Sequence, residues 1–307
     1  MSEKEITKVS DTNHSTVCRR LFSPKVPYSA EVAAYLGIDR AQIIADPKQL
    51  SIIAATGPFM ESRYCSSEIL IDRYLRDYVK RRPLLQPTVV EFAVGFNLHS
   101  RTIGKEYPYV QYVATDEHAE SLKKRVLLEE KLGLQLANVS TMRLDAVNGD
   151  GFADVIGTVR AGQRGVLFVE GFWRYIDFEQ KKKHLAIANN LLRHMGESVY
   201  ITPDAITLDE YQELMVLQNI GKEMNAAYSQ TLNINFETNM FTDENHRESF
   251  LRSCGLQLKE VHAQGDLVPT LSCYGELQRL VPLSSEKWDH IKSTIAKRKL
   301  FVLELVK

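Results

Sequence analysis

The sequence has little that would recruit a metal, a membrane or a nucleic acid. Its four cysteines, Cys18, Cys65, Cys254 and Cys273, form no C-x-x-C pair, so we expect reduced thiols rather than a zinc knuckle or a dithiol redox site. The 38 Lys and Arg residues balance 39 Asp and Glu residues, which leaves no field of one sign for nucleic acid or an anionic membrane. No apolar run approaches the ~20 residues that span a bilayer, and residues 1–16 lack the apolar run of a signal peptide. The sequence therefore predicts a cytoplasmic protein, monomeric or homodimeric, whose partner is a small molecule or another protein.

The spacing of apolar residues divides the chain into regions. Residues 1–16 are polar and are expected to form a flexible tail. The pattern over 17–85 is helical and amphipathic, which predicts an N-terminal helical cap. From 86 to 307, short apolar runs alternate with longer amphipathic stretches, as in a mostly parallel sheet flanked by helices. An amphipathic insertion at about 205–245 predicts a helical lid within this α/β domain.

Seven strands and the helices between them follow from this alternation. The predicted strands are Thr88–Val94, Tyr109–Thr115, Val139–Leu144, Gly165–Glu170, Ser198–Thr202, Gly255–His262 and Leu300–Val306. The predicted helices after the first strand are Arg101–Glu106, Ala119–Leu132, Phe152–Arg160, Phe178–His194, the insertion Leu208–Asn239 and Ser285–Lys297.

The first strand leads into a glycine at the place where open α/β sheets bind ligands. Such sheets bind at the carboxyl ends of their strands, and Gly95 is where the backbone approaches a ligand most closely, because it has no Cβ. A simple strand-to-helix turn is the alternative. The chain lacks a G-x-G-x-x-G fingerprint here, which counts against a nicotinamide-dependent oxidoreductase with its pyrophosphate on a helix N-terminus.

Carboxylates follow the next two strands. Asp116 ends strand two about 20 residues after the loop, the spacing of an acid that accepts both hydroxyl protons of a ribose. Asp116 or Glu117 is equally suited to cap the following helix. Asp145, followed by Ala146, ends strand three and is placed to accept a hydrogen bond from an adenine amino group. Ordinary turn chemistry explains Asp145 as well.

Strand four ends in a short run that carries several chemical groups. Glu170, Trp173, Arg174 and Tyr175 supply a carboxylate, an indole, a guanidinium and a phenol within six residues. Aromatic side chains form apolar walls with polar tips, and an arginine clamps an anion with two hydrogen bonds. The run therefore predicts a substrate wall, although its aromatic residues would also serve to seal a cofactor from beneath.

Taken in order, these segments resemble the leucine carboxyl methyltransferase family, and in particular its bacterial branch of tetracenomycin-type O-methyltransferases. The resemblance covers most of the chain and depends on the order and spacing of motifs that are individually weak. The segments that carry it are Glu61–Tyr64, Glu91–Phe96, Asp116 with Lys124 and Arg125, and Val169–Gly171 with Tyr175.

The resemblance implies a Rossmann-like class I methyltransferase fold with S-adenosyl-L-methionine as methyl donor. It also implies O-methylation of a small-molecule acceptor, a carboxylate or hydroxyl of a secondary metabolite, by in-line transfer. Tyr175 and Arg174 would border the acceptor. The implied donor contacts are Arg63 to the methionine carboxylate, Glu91 and Gly95 along the amino acid part, Asp116 at the ribose, Asp145 on the adenine side, and Glu170 below the sulfonium. Their neighbours Ala93, Glu117 and Ala146 complete the predicted cofactor-binding set.

One position departs from that family. Its members have an arginine four residues after the loop glycine, whereas this chain has His99 there and its nearest arginine is Arg101. A carboxylate acceptor needs no base, but a phenol with a pKa near 10 would be helped by one, and His99 or His118 is the candidate. The altered loop keeps open a second hypothesis, a catalytically impaired member that acts as a binding or scaffold protein.

Overall fold

The computed structural model describes residues 14–82, 84–216 and 236–306. Contacts between Cα atoms divide the chain into two compact units. The helical unit contains Met1–Ser66, Leu208–Glu237 and His262–Lys299. The sheet unit contains Ser67–Thr207, Thr238–Val261 and Leu300–Lys307.

The sheet has seven strands in the order β3-β2-β1-β4-β5-β7-β6. Its first five strands in chain order pair in parallel, and β7 pairs with β5 in the antiparallel direction. The predicted α/β class and the seven strands are confirmed, and the sheet is mixed. The strands are β1 Thr88–Phe92, β2 Gln111–Asp116, β3 Val139–Arg143, β4 Gly165–Val169, β5 Val199–Thr202, β6 Leu256–Ala263 and β7 Lys299–Leu305.

The helices at His99–Glu106, Ala119–Lys131, Phe152–Thr158, Phe178–Met195 and Ser285–Ala296 begin and end within two residues of the predicted positions, whereas those at Glu244–Ser253, Gln264–Leu267 and Tyr274–Leu280 were not predicted. A capping box starts one of them, because Asp177 and Gln180 each accept a hydrogen bond from the other's backbone amide. The helices are α1 14–20, α2 Ser29–Tyr35, α3 Arg40–Ala45, α4 Pro47–Arg81, α5 His99–Glu106, α6 Ala119–Lys131, α7 Phe152–Thr158, α8 Phe178–Met195, α9 Leu208–Val216, α10 Glu244–Ser253, α11 Gln264–Leu267, α12 Tyr274–Leu280 and α13 Ser285–Ala296.

Both faces of the sheet are covered. Successive residues of a strand point to opposite faces, so Val90 packs in one buried cluster with Leu191 of α8, and Val89 packs in another with Leu70 and Leu75 of α4. A strand that is buried on both faces is apolar at every position rather than at alternate ones. This is why β4 appears in the sequence as a short continuous apolar run.

The helical unit has a core of its own, in which Phe22 and Ile53 pack with Leu277 and Trp288. Its boundary with the sheet unit lies inside α4, between residues 66 and 67, and differs from the expected boundary at 85. The cause is the apolar stripe of α4 after that point, which covers one face of the sheet.

The expected tail and lid fall partly outside the described residues. Residues 1–13 and 217–235, which include Met224, are not among them. The described parts of the insertion are α9 and a 3-10 turn at Glu237–Asn239. Within the described part of the chain, no helix is both long enough and apolar enough to cross a membrane. The four cysteines are free thiols.

Candidate functional site

The carboxyl ends of β1, β2 and β4 bring several predicted residues to one edge of the sheet. In the parallel register, Glu91 of β1 lies beside Ala114 of β2 and Phe168 of β4. The hydroxyl of Thr115 donates to the Glu91 carbonyl at 2.9 Å, and the Val94 amide donates to the Thr115 carbonyl at 3.0 Å. The loops that follow β1 and β2 are therefore joined by backbone contacts.

The loop after β1 has an unusual backbone conformation. Ala93 and Gly95 have φ angles of 52° and 49°, in the left-handed region that an alanine adopts at a cost of about 1–2 kcal/mol. The Gly95 amide donates to Asp116 Oδ2 at 2.9 Å, and Asp116 Oδ1 accepts from the His118 amide at 3.0 Å. Asp116 thus holds the glycine loop to the end of β2. The residue at the N-cap of α6 is His118, which makes no side-chain cap bond, so neither Asp116 nor Glu117 caps that helix in the expected manner.

A buried arginine supports the same loop. Arg125 of α6 is fully buried and donates to the carbonyls of Gly95, at 3.3 Å, and Asn97. Its Nε donates to Glu129 at 3.0 Å, and the other oxygen of Glu129 accepts from Arg101. Arg101, the arginine nearest to the position where the family carries one, is thus directed to Glu129 in the interior of the sheet unit.

His99 lies between two carboxylates. Its Nδ1 is 3.2 Å from Glu68 Oε1, its Nε2 is 3.2 Å from Glu170 Oε2, and its ring meets the edge of Phe168. Burial alone would lower the pKa of His99, but the hydrogen bonds to Glu170 and Glu68, with the charge of Glu91, raise that pKa to about 9. His99 is therefore an imidazolium at neutral pH, and the role of general base predicted for it does not fit this environment.

Glu91 is completely buried beneath the loop. The Tyr112 hydroxyl donates to its Oε2 at 2.7 Å. Burial raises the pKa of Glu91, and the positive charges of His99 and Arg125 offset part of this increase.

The carboxylate at the end of β3 is used by its own turn. Asp145 Oδ1 accepts from the amides of Val147, at 2.8 Å, and Asn148, at 2.9 Å, and its Oδ2 accepts from the Asn148 side chain. Burial would raise the pKa of Asp145, but these hydrogen bonds lower it. Turn chemistry therefore describes Asp145 in this structure. Burial, followed by the nearby Asp145 charge, raises the pKa of Glu117.

The loop after β4 is fixed by a carboxylate that the sequence analysis missed. Asp204, two residues beyond β5, accepts from the amides of Gly171 at 3.0 Å, Phe172 at 2.7 Å and Trp173 at 3.2 Å. The rule that selected Asp116 and Asp145, an acid at a strand end, would also have found Asp204.

Hydrogen bonds to backbone carbonyls hold the predicted substrate wall in place. Arg174 donates to the Tyr175 hydroxyl at 2.7 Å, with its guanidinium 4.9 Å from the centre of that ring. The buried ammonium of Lys181 donates to the backbone carbonyls of Ile176, at 2.7 Å, and Asn239, at 2.8 Å. The side-chain amide of Asn239 donates in turn to the Arg174 carbonyl at 3.0 Å. Burial lowers the pKa of Lys181 to about 8. We call this arrangement the Lys181–Asn239 clamp.

A second buried histidine, His184, which was not predicted as a site residue, connects the loops after β3 and β4 to β5. His184 Nδ1 lies 3.0 Å from the Ala146 carbonyl, which only accepts, so Nδ1 carries the proton. Its Nε2 then accepts from the Tyr200 hydroxyl at 2.8 Å, and that hydroxyl accepts from Trp173 Nε1 at 3.1 Å. Burial lowers the pKa of His184 to about 4, so the ring is neutral.

Arg63 lies in the helical unit, whereas the other predicted site residues lie in the sheet unit. Its guanidinium is 5.4 Å from the centre of the Phe59 ring. Two residues earlier, the buried carboxylate of Glu61 accepts from the amide and the hydroxyl of Ser272 and from the amide of Cys273. Glu61 thus joins α4 to the loop before α12 within the helical unit.

No protein-family model and no curated protein matches the chain. Solved structures that resemble its backbone include the following three. The plantazolicin methyltransferase BamL, in complex with a triazolic desmethyl analog and S-adenosylhomocysteine, aligns over 96% of this chain and 97% of its own, with 13% identity and a TM-score of 0.46. Geranyl diphosphate C-methyltransferase from Streptomyces coelicolor aligns over 76% of this chain and 77% of its own, with 11% identity and a TM-score of 0.45. LepI in complex with S-adenosylmethionine aligns over 76% of this chain, which spans 46% of LepI, with 12% identity and a TM-score of 0.44. At such values the function of this chain has to be argued from its own residues.

Proposed function

We propose that this chain is an S-adenosylmethionine-dependent methyltransferase that methylates a carboxylate or hydroxyl oxygen of a small molecule, in the manner of the leucine carboxyl methyltransferase family. The observation that carries the proposal is the contact between Asp116 and Gly95 at the ends of β2 and β1. It sets a carboxylate beside a closely approachable backbone at a sheet edge, the arrangement that recognises a nucleoside.

The charges at the edge favour a cationic ligand over a pyrophosphate. Glu68, Glu170 and Asp116 contribute carboxylates, and the cations among them, His99 and Arg125, already donate to protein atoms. A pyrophosphate would bring further negative charge close to these carboxylates, whereas a sulfonium is attracted to them. This electrostatic difference supports a methyl donor and disfavours a nicotinamide dinucleotide.

The loop residues also fit such a donor. The buried Asn97 Oδ1 has no hydrogen-bond partner among the described residues, and an unpaired buried acceptor costs about 1–3 kcal/mol unless a ligand donates to it. We assign Asp116 and Glu117 to the ribose and Glu91, Ala93 and Gly95 to the amino acid part. The other contacts in this proposal are Asp145 and Ala146 on the adenine side and Glu170 near the sulfonium.

When bound, the donor supplies a methyl group on an already activated sulfonium, so the protein mainly has to align the acceptor and exclude water. We assign Arg174 and Tyr175 to the acceptor side. The backbone of their loop is held by Asp204 and by the Lys181–Asn239 clamp. Because His99 already carries its proton, it does not take one from an acceptor. A carboxylate acceptor, which is ionised at neutral pH, is therefore the better match.

Calorimetric titration with S-adenosylhomocysteine tests the donor assignment. We expect binding by the wild type and a loss of about 1–3 kcal/mol in Asp116→Ala, because a charged acceptor of ribose hydrogen bonds is removed. The matched control is Asp154→Ala, an exposed acid in the same unit, which should leave the affinity unchanged. No binding at millimolar ligand would reject the proposal, and full affinity in Asp116→Ala would remove Asp116 from the site.

One observation favours a second candidate, a non-catalytic binding protein of the same fold. His99 and Arg101 both donate to glutamates, so neither side chain takes the place of the arginine that the family carries in this loop. Such a protein would bind the donor without consuming it. Formation of S-adenosylhomocysteine with any member of a panel of carboxylic acids would decide for the enzyme.

A further inference from the structure

The groups that face His99 indicate which of its ring nitrogens carry protons. A neutral imidazole has one donor and one acceptor nitrogen, whereas an ionised carboxylate only accepts. Both ring nitrogens of His99 face carboxylate oxygens at 3.2 Å, those of Glu68 and Glu170. With both glutamates ionised, both contacts are hydrogen bonds only if both nitrogens carry protons, so two ionised carboxylates favour an imidazolium.

The surroundings of the ring support that charge. Glu68 comes from α4, Glu170 follows β4, and the carboxyl group of Glu91 on β1 adds to the field that favours the protonated ring. The Phe168 ring closes one side with its centroid 5.3 Å away. The other cation in this cluster is Arg125 of α6, whose charge also acts on Glu91. His99 itself is fully buried, so solvent screens these interactions little.

We propose that His99 is a positioning residue, a doubly protonated bridge that holds Glu170 and Glu68 in place at the donor site and gives donor binding an alkaline limit. The inference rests on the proposed function, since Glu170 is the carboxylate assigned to the sulfonium. When the ring loses a proton, a nitrogen lone pair faces a carboxylate, and one glutamate must turn away or take up a proton. Either change alters the acid next to the donor.

Replacement by arginine separates the charge of His99 from its acidity. Arginine remains protonated at every accessible pH and donates to two carboxylates, so His99→Arg keeps the bridge, whereas His99→Gln keeps hydrogen bonding but removes the charge. His290→Gln, at an exposed histidine of the helical unit, controls for the loss of a titrating ring elsewhere.

The experiment measures the affinity for S-adenosylhomocysteine between about pH 6.5 and pH 10. Wild type and His290→Gln should lose about tenfold affinity above about pH 9, as expected when a hydrogen bond to a charged group is lost, while His99→Arg loses less. His99→Gln should bind about tenfold more weakly than wild type below about pH 9 and should show no further loss from this ring above it. The probe's own ammonium titrates equally in all variants, so the difference between wild type and His99→Arg reports on the ring. Coincident pH profiles of these two proteins would overturn the proposal, as would full affinity in His99→Gln.

Imidazole nitrogen NMR of the wild type, with His99→Arg to identify the resonance, tests the bridge without any ligand. We expect a doubly protonated ring up to at least about pH 8, where an ordinary histidine is neutral. A ring that titrates near its ordinary pKa would overturn the inference whether or not the donor binds. If the ring is doubly protonated but the protein fails to bind the probe, the proposed function and the alkaline limit are rejected. The doubly protonated bridge between Glu170 and Glu68 is then still supported.

Discussion

Glu129 is predicted to be more important for the stability of the sheet unit than either arginine that contacts it. Its carboxylate is 2% exposed and is shared by Arg101, 5% exposed, and Arg125, which is fully buried. The glutamate is thus the only negative member of this buried group of three side chains. We expect Glu129→Gln, which preserves shape and removes the charge, to show the effect.

The magnitude follows from the charge that each substitution leaves behind. Glu129→Gln leaves two guanidiniums facing each other without their counterion, and removing one member of a buried ion pair costs about 3–5 kcal/mol. Arg101→Met leaves Glu129 with the intact Arg125 contact and one unpaired oxygen, a loss of about 1–3 kcal/mol. The glutamate substitution should therefore be the more destabilising of the two.

Urea unfolding followed by far-UV circular dichroism measures both losses. Glu130→Gln, at the exposed neighbour on α6, is the matched control and should stay within about 0.5 kcal/mol of wild type. A Glu129→Gln protein that is as stable as the control, or more stable than Arg101→Met, would refute the view that this carboxylate neutralises both arginines.

Two further predictions concern other buried groups. Lys181→Met removes two hydrogen bonds to carbonyls, so we expect the free energy of unfolding to fall by about 1–3 kcal/mol and amide hydrogen exchange in Trp173–Ile176 to become faster. Lys182→Met breaks only an exposed pair with Glu179 and should change neither quantity. Equal exchange in the two variants would contradict the clamp. His184 has a pKa lowered to about 4, so the unfolded ring binds a proton at a pH where the folded one does not. Stability that is present above about pH 6.5 is therefore lost as the pH falls towards 4, by about 3 kcal/mol. Urea titrations at about pH 6.5 and about pH 4 measure this loss, which should be smaller in His184→Gln than in wild type. Equal losses in the two proteins would show that His184 is not responsible.

The strands were predictable because their cause is local. Inner strands such as β4 and β5 are short, mainly apolar runs that the sheet buries on both faces, so such a run needs no partner to be recognised. The position of Asp116 followed from the same reasoning, because a residue that ends β2 must lie beside the loop that ends β1. Its contact with the Gly95 amide confirms that the two strand ends meet.

The directions of the charged side chains were not predictable, because their partners are distant in sequence. His99 is 31 residues from Glu68 and 71 from Glu170, and Arg101 is 28 residues from Glu129. The residue types alone suggested a base at His99 and gave no partner for Arg101. The fold instead pairs both with glutamates, and only the packing of α4, α5 and α6 against the sheet brings those groups together.

The two buried histidines of the sheet unit differ in charge because their partners differ. His184 faces a carbonyl and a hydroxyl, which satisfy one donor and one acceptor and leave the ring neutral, whereas His99 faces two carboxylates and must donate to both. The neutral ring contacts Ala146, on the side we assign to adenine, and the charged ring contacts Glu170, on the side we assign to the sulfonium. The buried histidine is therefore neutral on the side assigned to the nucleobase and charged on the side assigned to the sulfonium.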